Sequence, residues 1–212
     1  MRIPRVPNVV IRRLVLYLRT LVDMDIRSDE NLFISSQELG ERAGVTAAQV
    51  RKDLALFGEF GKQGVGYHAL SLMRELQAIL KVDRDIAVGL VGAGELGMAM
   101  TRYNIRRYNQ NPDYLFRMAA LFDIDPEKIG KDVEGVPIFP VQEMEERVRE
   151  LNIQIMTIAV PAAVAQEITD MVVRSGVKAI LNFAPIKLTV PSDVHLYSAD
   201  VSLDLQQLAY YL

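Results

Sequence analysis

The sequence predicts an α/β protein in which a winged helix-turn-helix domain precedes a doubly wound parallel sheet and a C-terminal helix. Two short, capped helical patterns on either side of a glycine come first, and a glycine-rich stretch with aromatic residues follows them. Beyond residue 85, apolar β-rich runs alternate with helical periods. We therefore expect a domain over residues 1–84, a second over 85–198 and a terminal helix over 199–212.

Composition limits the class of protein. Of the 212 residues, 50% are hydrophobic and 24% are charged, which suits a globular protein with a filled core. The absence of cysteine excludes disulfides, thiol nucleophiles and thiolate metal sites, and we predict no metal site. No apolar run approaches the ~20 residues of a membrane span, and the N-terminus lacks the apolar core of a secretory signal, so we expect a cytoplasmic protein without a membrane partner.

The two predicted domains differ in charge. Residues 1–84 contain 13 Lys and Arg against 10 Asp and Glu, a net charge of +3. Residues 85–212 contain 11 against 17, a net charge of −6. This asymmetry favours an N-terminal part that contacts a polyanion such as DNA, although a solvated basic helix face would give the same pattern.

Helix caps indicate a helix-turn-helix after an initial amphipathic helix. Ser35 and Glu38 have the spacing of a capping box at the start of one helix, and Gly44 is expected to end that helix. Thr46 and Gln49 repeat the capping pattern at the start of the next helix. Two capped helices around a glycine turn are typical of the helix-turn-helix motif.

The segment FGEFGKQGVGY, residues 57–67, predicts a β-hairpin wing, and a connecting helix is predicted over residues 71–82.

Recognition helices read base edges with residues near their N-terminus, and basic side chains reach guanine or phosphate. The alternative for these residues is an ordinary charged helix face. The predicted DNA-binding residues are Arg12, Arg13, Thr46, Ala47, Gln49, Arg51, Lys52, Lys62 and Gln63.

The second domain shows four apolar runs separated by helical stretches. The runs are continuously apolar, which indicates strands covered on both faces and hence a parallel sheet. Strands are predicted over 86–91, 118–122, 153–160 and 177–183, and helices over 98–108, 141–151 and 162–175.

A glycine motif follows the first of these strands directly. Its residues are Gly92, Ala93, Gly94, Glu95, Leu96 and Gly97, and the pattern predicts a dinucleotide site with the pyrophosphate at a helix N-terminus. Asp123, at the end of the next strand, is expected to hold the adenosine ribose. With no Arg adjacent, this acid favours NAD(H) over NADP(H). A glycine-rich turn without a ligand is the alternative.

Catalytic residues are scarce. The only histidines, His68 and His195, have no nucleophile or orienting acid at a recognisable spacing, so both are expected to be surface or packing residues. The length beyond residue 85 suffices for a nucleotide-binding fold and little else. We therefore predict that the protein is not an enzyme.

Several stretches, in chain order, resemble the bacterial Rex family of redox-sensing transcriptional repressors: VTAAQVRKDLALFGEFGKQGVGY, GAGELG, FDIDPEKIG, AVPA and GVKAILNFAP. The resemblance spans nearly the whole chain. It implies a homodimer with a winged helix, a Rossmann domain that binds NADH or NAD+, and a C-terminal helix exchanged between subunits. It also implies a repressor that leaves a palindromic operator when NADH rises.

Residue roles follow from the same resemblance. Tyr103, Val160, Pro161 and Asn182 would lie near the nicotinamide, beside the glycine motif and Asp123. Arg19 and Asp200 would form a pair that couples cofactor binding to DNA binding. Two other functions stay open: a small NAD-dependent oxidoreductase, and a regulator that senses another nucleotide such as coenzyme A.

The terminal segment, residues 200–212, contains Leu203, Leu208, Tyr211 and Leu212 as apolar positions. A helix of this length is marginal in isolation, because helices below ~12 to 15 residues gain too little to offset nucleation. The segment must therefore pack against another surface, and exchange with a second subunit is one way to do so.

Overall fold

The computed structural model describes residues 6–24, 26, 29, 31–62 and 64–212. The chain divides into two compact units, Met1–Arg84 and Asp85–Leu212. Gln63, at the predicted wing tip, lies outside the described residues.

The described residues of the N-terminal unit form four helices and a small antiparallel sheet. The helices are α1 (Asn8–Asp23), α2 (Ser36–Ala43), α3 (Ala47–Ala55) and α4 (Ala69–Leu80); the strands are β1 (Phe33–Ile34), β2 (Gly61–Lys62) and β3 (Gly66–His68), in the order β1-β3-β2. Apolar side chains of α1, α3 and α4 form its core, among them Leu14, Leu21, Leu54, Leu72 and Leu76, all buried.

The predicted helix caps are present. The Ser35 hydroxyl accepts a hydrogen bond from the backbone N–H of Glu38 at 3.0 Å, and Thr46 accepts one from Gln49 at 3.2 Å. Gly44 follows α2 in the left-handed region at φ 71°, where glycine avoids the Cβ clash. These local interactions define the two helices of the helix-turn-helix.

The wing is a hairpin of β2 and β3, and β1 extends it to three strands. Phe33 pairs with His68 across the β1–β3 register. A two-residue strand is too short to show a period, so β1 was not predicted. His68 caps α4 by accepting a hydrogen bond from the backbone N–H of Ser71 at 3.3 Å, and the helix therefore begins two residues before the predicted start.

The C-terminal unit contains a seven-stranded sheet in the order β10-β9-β8-β4-β5-β7-β6. Its strands are β4 (Ile86–Val91), β5 (Phe116–Asp123), β6 (Asp132–Val133), β7 (Val136–Pro140), β8 (Ile153–Ile158), β9 (Ala179–Asn182) and β10 (His195–Ser198). All neighbours are parallel except β6 and β7. The four predicted strands are present, whereas β6, β7 and β10 were missed because they are short or half exposed.

Helices cover both faces of this sheet, as a doubly wound fold requires. They are α5 (Glu95–Gln110), α6 (Met144–Glu150) and α7 (Ala162–Arg174); a further helix, α8 (Val201–Ala209), follows β10. One apolar cluster joins the sheet to α6 and α7, and another contains partly buried residues of α5. The fold class predicted from the sequence is confirmed.

Helix α8 differs from the other helices because every one of its residues is exposed. Its side chains include Leu203, Leu205 and Leu208, each more than 60% accessible. Among the described residues, none of the helices is long and apolar enough to cross a membrane.

Candidate nucleotide cleft and DNA-binding surface

The glycine motif forms the turn between β4 and α5. Gly92 has φ 101°, and a Cβ there would collide with the carbonyl of Ala159 on the neighbouring segment. A Cβ on Gly97 would overlap the carbonyl of Gly92, so this glycine lets α5 approach the strand. A Cβ on Gly94 would meet no atom within 4 Å. The middle glycine thus borders open space, which is the arrangement that lets a ligand approach the backbone closely.

The N-terminus of α5 supplies donors to this space. No side chain caps the helix at Gly94. The amide groups of its first turn therefore remain available, together with the positive end of the helix dipole, and both favour an anionic group such as a pyrophosphate.

Asp123 lies at the end of β5 and is 8% exposed. One carboxylate oxygen accepts a hydrogen bond from the backbone N–H of Ala93 at 2.7 Å, and the other accepts from Ile124 and Asp125 at 2.8 and 2.9 Å. The side chain therefore ties β5 to the glycine turn. A carboxylate has about four acceptor positions, so one is left for a further donor.

Lys128 is a residue of this region that the sequence prediction missed. Its Nζ lies 3.2 Å from Asp125 and 3.7 Å from Asp123. A hydrogen bond from the Glu127 backbone and the Lys128 ammonium lower the pKa of Asp125. The three-residue spacing from Asp125 to Lys128 could have indicated this pair. This region therefore contains two carboxylates and one ammonium, which leaves net negative charge.

A cleft of about 570 Å³ joins these groups to the end of β8. Its size is typical of a small-molecule site. Gly92, Gly94, Asp123, Val160 and Pro161 line it, as the predicted cofactor site requires. Sequence reasoning missed further lining residues on the α7 side, namely Val164, Glu167, Ile168 and Met171.

Six predicted cofactor residues do not line this cleft: Ala93, Glu95, Leu96 and Gly97 of the glycine motif, and Tyr103 and Asn182. Tyr103 is exposed on α5, where its hydroxyl accepts a hydrogen bond from Arg107 at 2.8 Å. Asn182 is fully buried, and its amide bonds Ala184 and Ile186 in the loop after β9, and Ser198 on β10. The structure assigns Asn182 to shaping that loop, because its polar atoms are already used.

The N-terminal unit has its own cavity, of about 710 Å³, between α2, α3 and the wing. Ser35, Ser36, Arg51, Lys62 and Tyr67 line it. Arg51 donates a hydrogen bond to the Ser36 hydroxyl at 2.7 Å, which places a guanidinium beside the start of α2. Two cations with hydroxyl groups around a concave surface form a suitable contact for a phosphate backbone.

The other predicted DNA-binding residues fall into two groups. Arg12, Thr46 and Lys52 are exposed, whereas Ala47 is partly buried. Arg13 is mostly buried, and its guanidinium donates to Asp53 of α3 at 2.5 and 2.8 Å, so two of its three nitrogens are used inside the unit. Periodicity could not show this, because the partner is 40 residues away.

The predicted coupling residues have local partners within this chain. The Arg19 guanidinium lies 3.8 Å from Asp23, and both side chains are largely exposed. Asp200 caps α8 by accepting a hydrogen bond from the Ser202 backbone at 3.0 Å. A further hydrogen bond from the Ser202 hydroxyl lowers the pKa of Asp200. Within the described part of the chain, no cluster of His, Asp and Glu could hold a metal ion.

Comparison with known proteins assigns both units. Residues 5–55 match the family described as "Putative DNA-binding protein N-terminus", and residues 83–186 match the "CoA binding domain" family. The redox-sensing transcriptional repressor Rex of Brevibacillus brevis is 44% identical and covers 98% of this chain and 97% of its own length. That of Roseiflexus sp. is also 44% identical and covers 100% of this chain and 93% of its own.

Solved structures give the same result. RSP, a Rex-family repressor, in complex with β-NAD+ and operator DNA superposes with a TM-score of 0.85 at 38% identity, covering 97% of this chain and 92% of that one. Its complex with β-NADH gives 0.82 at 35% identity, covering 98% and 94%. Since relatives of this similarity extend over nearly the entire length, the chain belongs to the Rex family of redox-sensing transcriptional repressors.

Proposed function

We propose that this protein is a DNA-binding repressor that responds to the NADH/NAD+ ratio and releases its operator when NADH binds. The observation that carries the proposal is the combination of a cationic winged helix and a nucleotide cleft in one chain. A solved relative, RSP, is in complex with both β-NAD+ and operator DNA, which supports the same two ligands for this chain. As a regulator of bacterial transcription, the protein would act in the cytoplasm.

The active form is proposed to be a homodimer on a palindromic duplex. Dimeric helix-turn-helix proteins place two recognition helices on half-sites related by the symmetry of the protein. The exposed apolar helix α8 supplies a surface that a second subunit could cover. Exchange of this helix between subunits would bury apolar side chains that are exposed in the described chain.

Asp123, Asp125 and Lys128 support NAD(H) as the ligand. Net negative charge at the ribose end repels a ribose phosphate, which NADP(H) and coenzyme A carry and NAD(H) lacks. The match to the family described as a CoA binding domain keeps coenzyme A as the second candidate.

The test is duplex binding with separate nucleotide titrations. A palindromic duplex is selected with the wild-type protein, and the complex is titrated with NADH, NAD+, NADPH and coenzyme A. Release by NADH at lower concentration than by any other nucleotide is expected. Release by coenzyme A alone would assign the second candidate, and indifference to all four would contradict the sensor function.

A further inference from the structure

A buried carboxylate belongs to α3, the second helix of the helix-turn-helix and thus the predicted recognition helix. Asp53, on α3, has no exposed surface. It accepts hydrogen bonds from the Arg13 guanidinium at 2.5 and 2.8 Å, from the Tyr17 hydroxyl at 2.9 Å and from the Gln49 amide nitrogen at 2.7 Å. Four donor contacts therefore surround one carboxylate in the core of the N-terminal unit.

These contacts join two helices. Arg13 and Tyr17 belong to α1, whereas Asp53 and Gln49 belong to α3. Burial alone would raise the pKa of Asp53, but the hydrogen bonds from Arg13, Tyr17 and Gln49 outweigh burial and hold it below its ordinary value. Asp53 is therefore ionised at neutral pH, and an ionised carboxylate accepts hydrogen bonds but does not donate them.

That chemistry determines how Gln49 is oriented. Because Asp53 can only accept, the Gln49 amide must turn its nitrogen towards the carboxylate. Its oxygen and second N–H make no hydrogen bond to the described residues and are therefore available to a ligand. Gln49 is in the first turn of α3 and is partly exposed, which is where recognition helices contact base edges. An amide that presents both an acceptor and a donor matches the major-groove edge of adenine.

We infer that Asp53 is a positioning residue of the DNA-reading surface, which sets base preference by fixing the Gln49 amide although it does not itself contact DNA. Arg13 and Tyr17 neutralise the buried carboxylate, whereas its direct hydrogen bond with Gln49 is what fixes the amide. The inference rests on the proposed DNA binding and assigns a function to Arg13 that differs from the one predicted from the sequence.

The probe is a duplex selected by the wild-type protein from a pool with randomised positions, together with its single-base-pair variants. Gln49→Ala should reduce discrimination at one pair per half-site, by between about 5-fold and 100-fold, the range of one bidentate contact. Asp53→Asn keeps the shape but replaces one acceptor oxygen with a donor, so it should reduce discrimination at the same pair. The double variant should lose no more base discrimination than either single variant, because both changes remove the same interaction.

Two further variants separate positioning from stability. Arg13→Gln leaves the Asp53–Gln49 bond in place, so it should lower the unfolding temperature yet retain discrimination at that pair. Glu75→Gln removes an exposed charge of α4 in the same unit and should change neither property. The salt dependence of binding should match the wild type in all of these variants, because the number of phosphate contacts is unchanged.

Several results would overturn the inference. A uniform loss of affinity in Asp53→Asn with unchanged discrimination would mean a purely structural role. If Gln49→Ala retains full discrimination at every pair, Gln49 does not read bases, whether or not Asp53→Asn folds. A wild-type protein that selects no duplex would remove the proposed function as well, and this result is distinct from the other two.

Discussion

Asp123 has a structural role and is also the predicted contact of the adenosine ribose. Three backbone N–H groups already bind its carboxylate, so the residue holds the glycine turn against β5 in the absence of a nucleotide. A ribose hydroxyl would add a donor to a group that is pre-positioned. Preorganisation of this kind lowers the entropic cost of ligand binding.

Replacement of Asp123 should separate these two roles. Asp123→Ala is expected to weaken NADH binding by about 1.5 to 3 kcal/mol, the range for hydrogen bonds to charged groups. The affinity for NADPH should fall less, because Asp123→Ala also removes a negative charge that repels the ribose phosphate of NADPH. Calorimetry on the wild type, Asp123→Ala and the isosteric control Asp123→Asn measures the affinities for NADH and NADPH. An unchanged NADH affinity in Asp123→Ala would exclude this residue from the site.

Arg51 and Lys62 line the same cavity but should act on DNA differently. Arg51→Ala is expected to cost about 1 to 3 kcal/mol and to relax base preference, whereas Lys62→Ala should weaken all sequences and flatten the salt slope by about one unit. Binding isotherms at several salt concentrations distinguish the two. Equal duplex affinity for the wild type and an Arg51→Ala, Lys52→Ala double variant would contradict the proposed surface.

Among the elements, β9 and β10 connect the sheet to the terminal helix. Asn182 at the end of β9 bonds Ser198 on β10 through its side chain at 3.2 Å, and its carbonyl accepts from Ala199 at 2.9 Å. Asp200 follows directly and caps α8. The start of α8 is thus held by the carboxyl edge of the sheet, whereas the rest of the helix is exposed.

Helix α8 should determine the oligomeric state. Its leucines are solvated in the single chain, and burial of apolar surface is worth about 25 cal/mol per Å². A Leu203→Asp, Leu208→Asp variant is therefore expected to be monomeric with both units folded, as measured by sedimentation and circular dichroism. Gln206→Asp, on the same helix, is the matched control and should remain dimeric. A double variant that stays dimeric would place the dimer interface elsewhere.

In the whole molecule, cofactor binding must change the affinity for DNA. A shift from nearly complete to nearly zero occupancy requires roughly a 10⁴-fold preference of the ligand for one state, about 5.5 kcal/mol. Two sites in a dimer could share this free energy. Arg19 and Asp200, whose partners in the single chain are exposed, remain the predicted pair for the coupling.

Asp200→Ala should change the NADH concentration needed to release DNA. One exposed ion pair contributes at most ~1 kcal/mol, so the expected change is about fivefold. Ser202→Ala is the control, since it removes the side-chain partner of Asp200 but keeps the carboxylate. Fluorescence anisotropy of a labelled duplex during NADH titration measures both variants. If Asp200→Ala alters neither DNA affinity nor the release concentration, another contact carries the coupling.

Local chemistry explains what the sequence alone determined. The caps at Ser35 and Thr46, the glycine turn at Gly92 and the fully apolar strands depend on neighbours within a few residues, so their patterns are visible in the chain. The family resemblance, carried by short contiguous motifs, was confirmed for the same reason. Short strands such as β1 and β6 escaped detection because two residues define no period.

Long-range contacts were decided only by the tertiary structure. Arg13 looked like a DNA contact because it is basic, but folding brings it to a carboxylate 40 residues away. Asn182 was predicted to lie near the cofactor, but its side-chain amide forms hydrogen bonds with the following loop and with Ser198 of β10. A buried polar group needs hydrogen-bond partners, and those partners can be distant in the chain. Residue spacing therefore does not predict which residues they are.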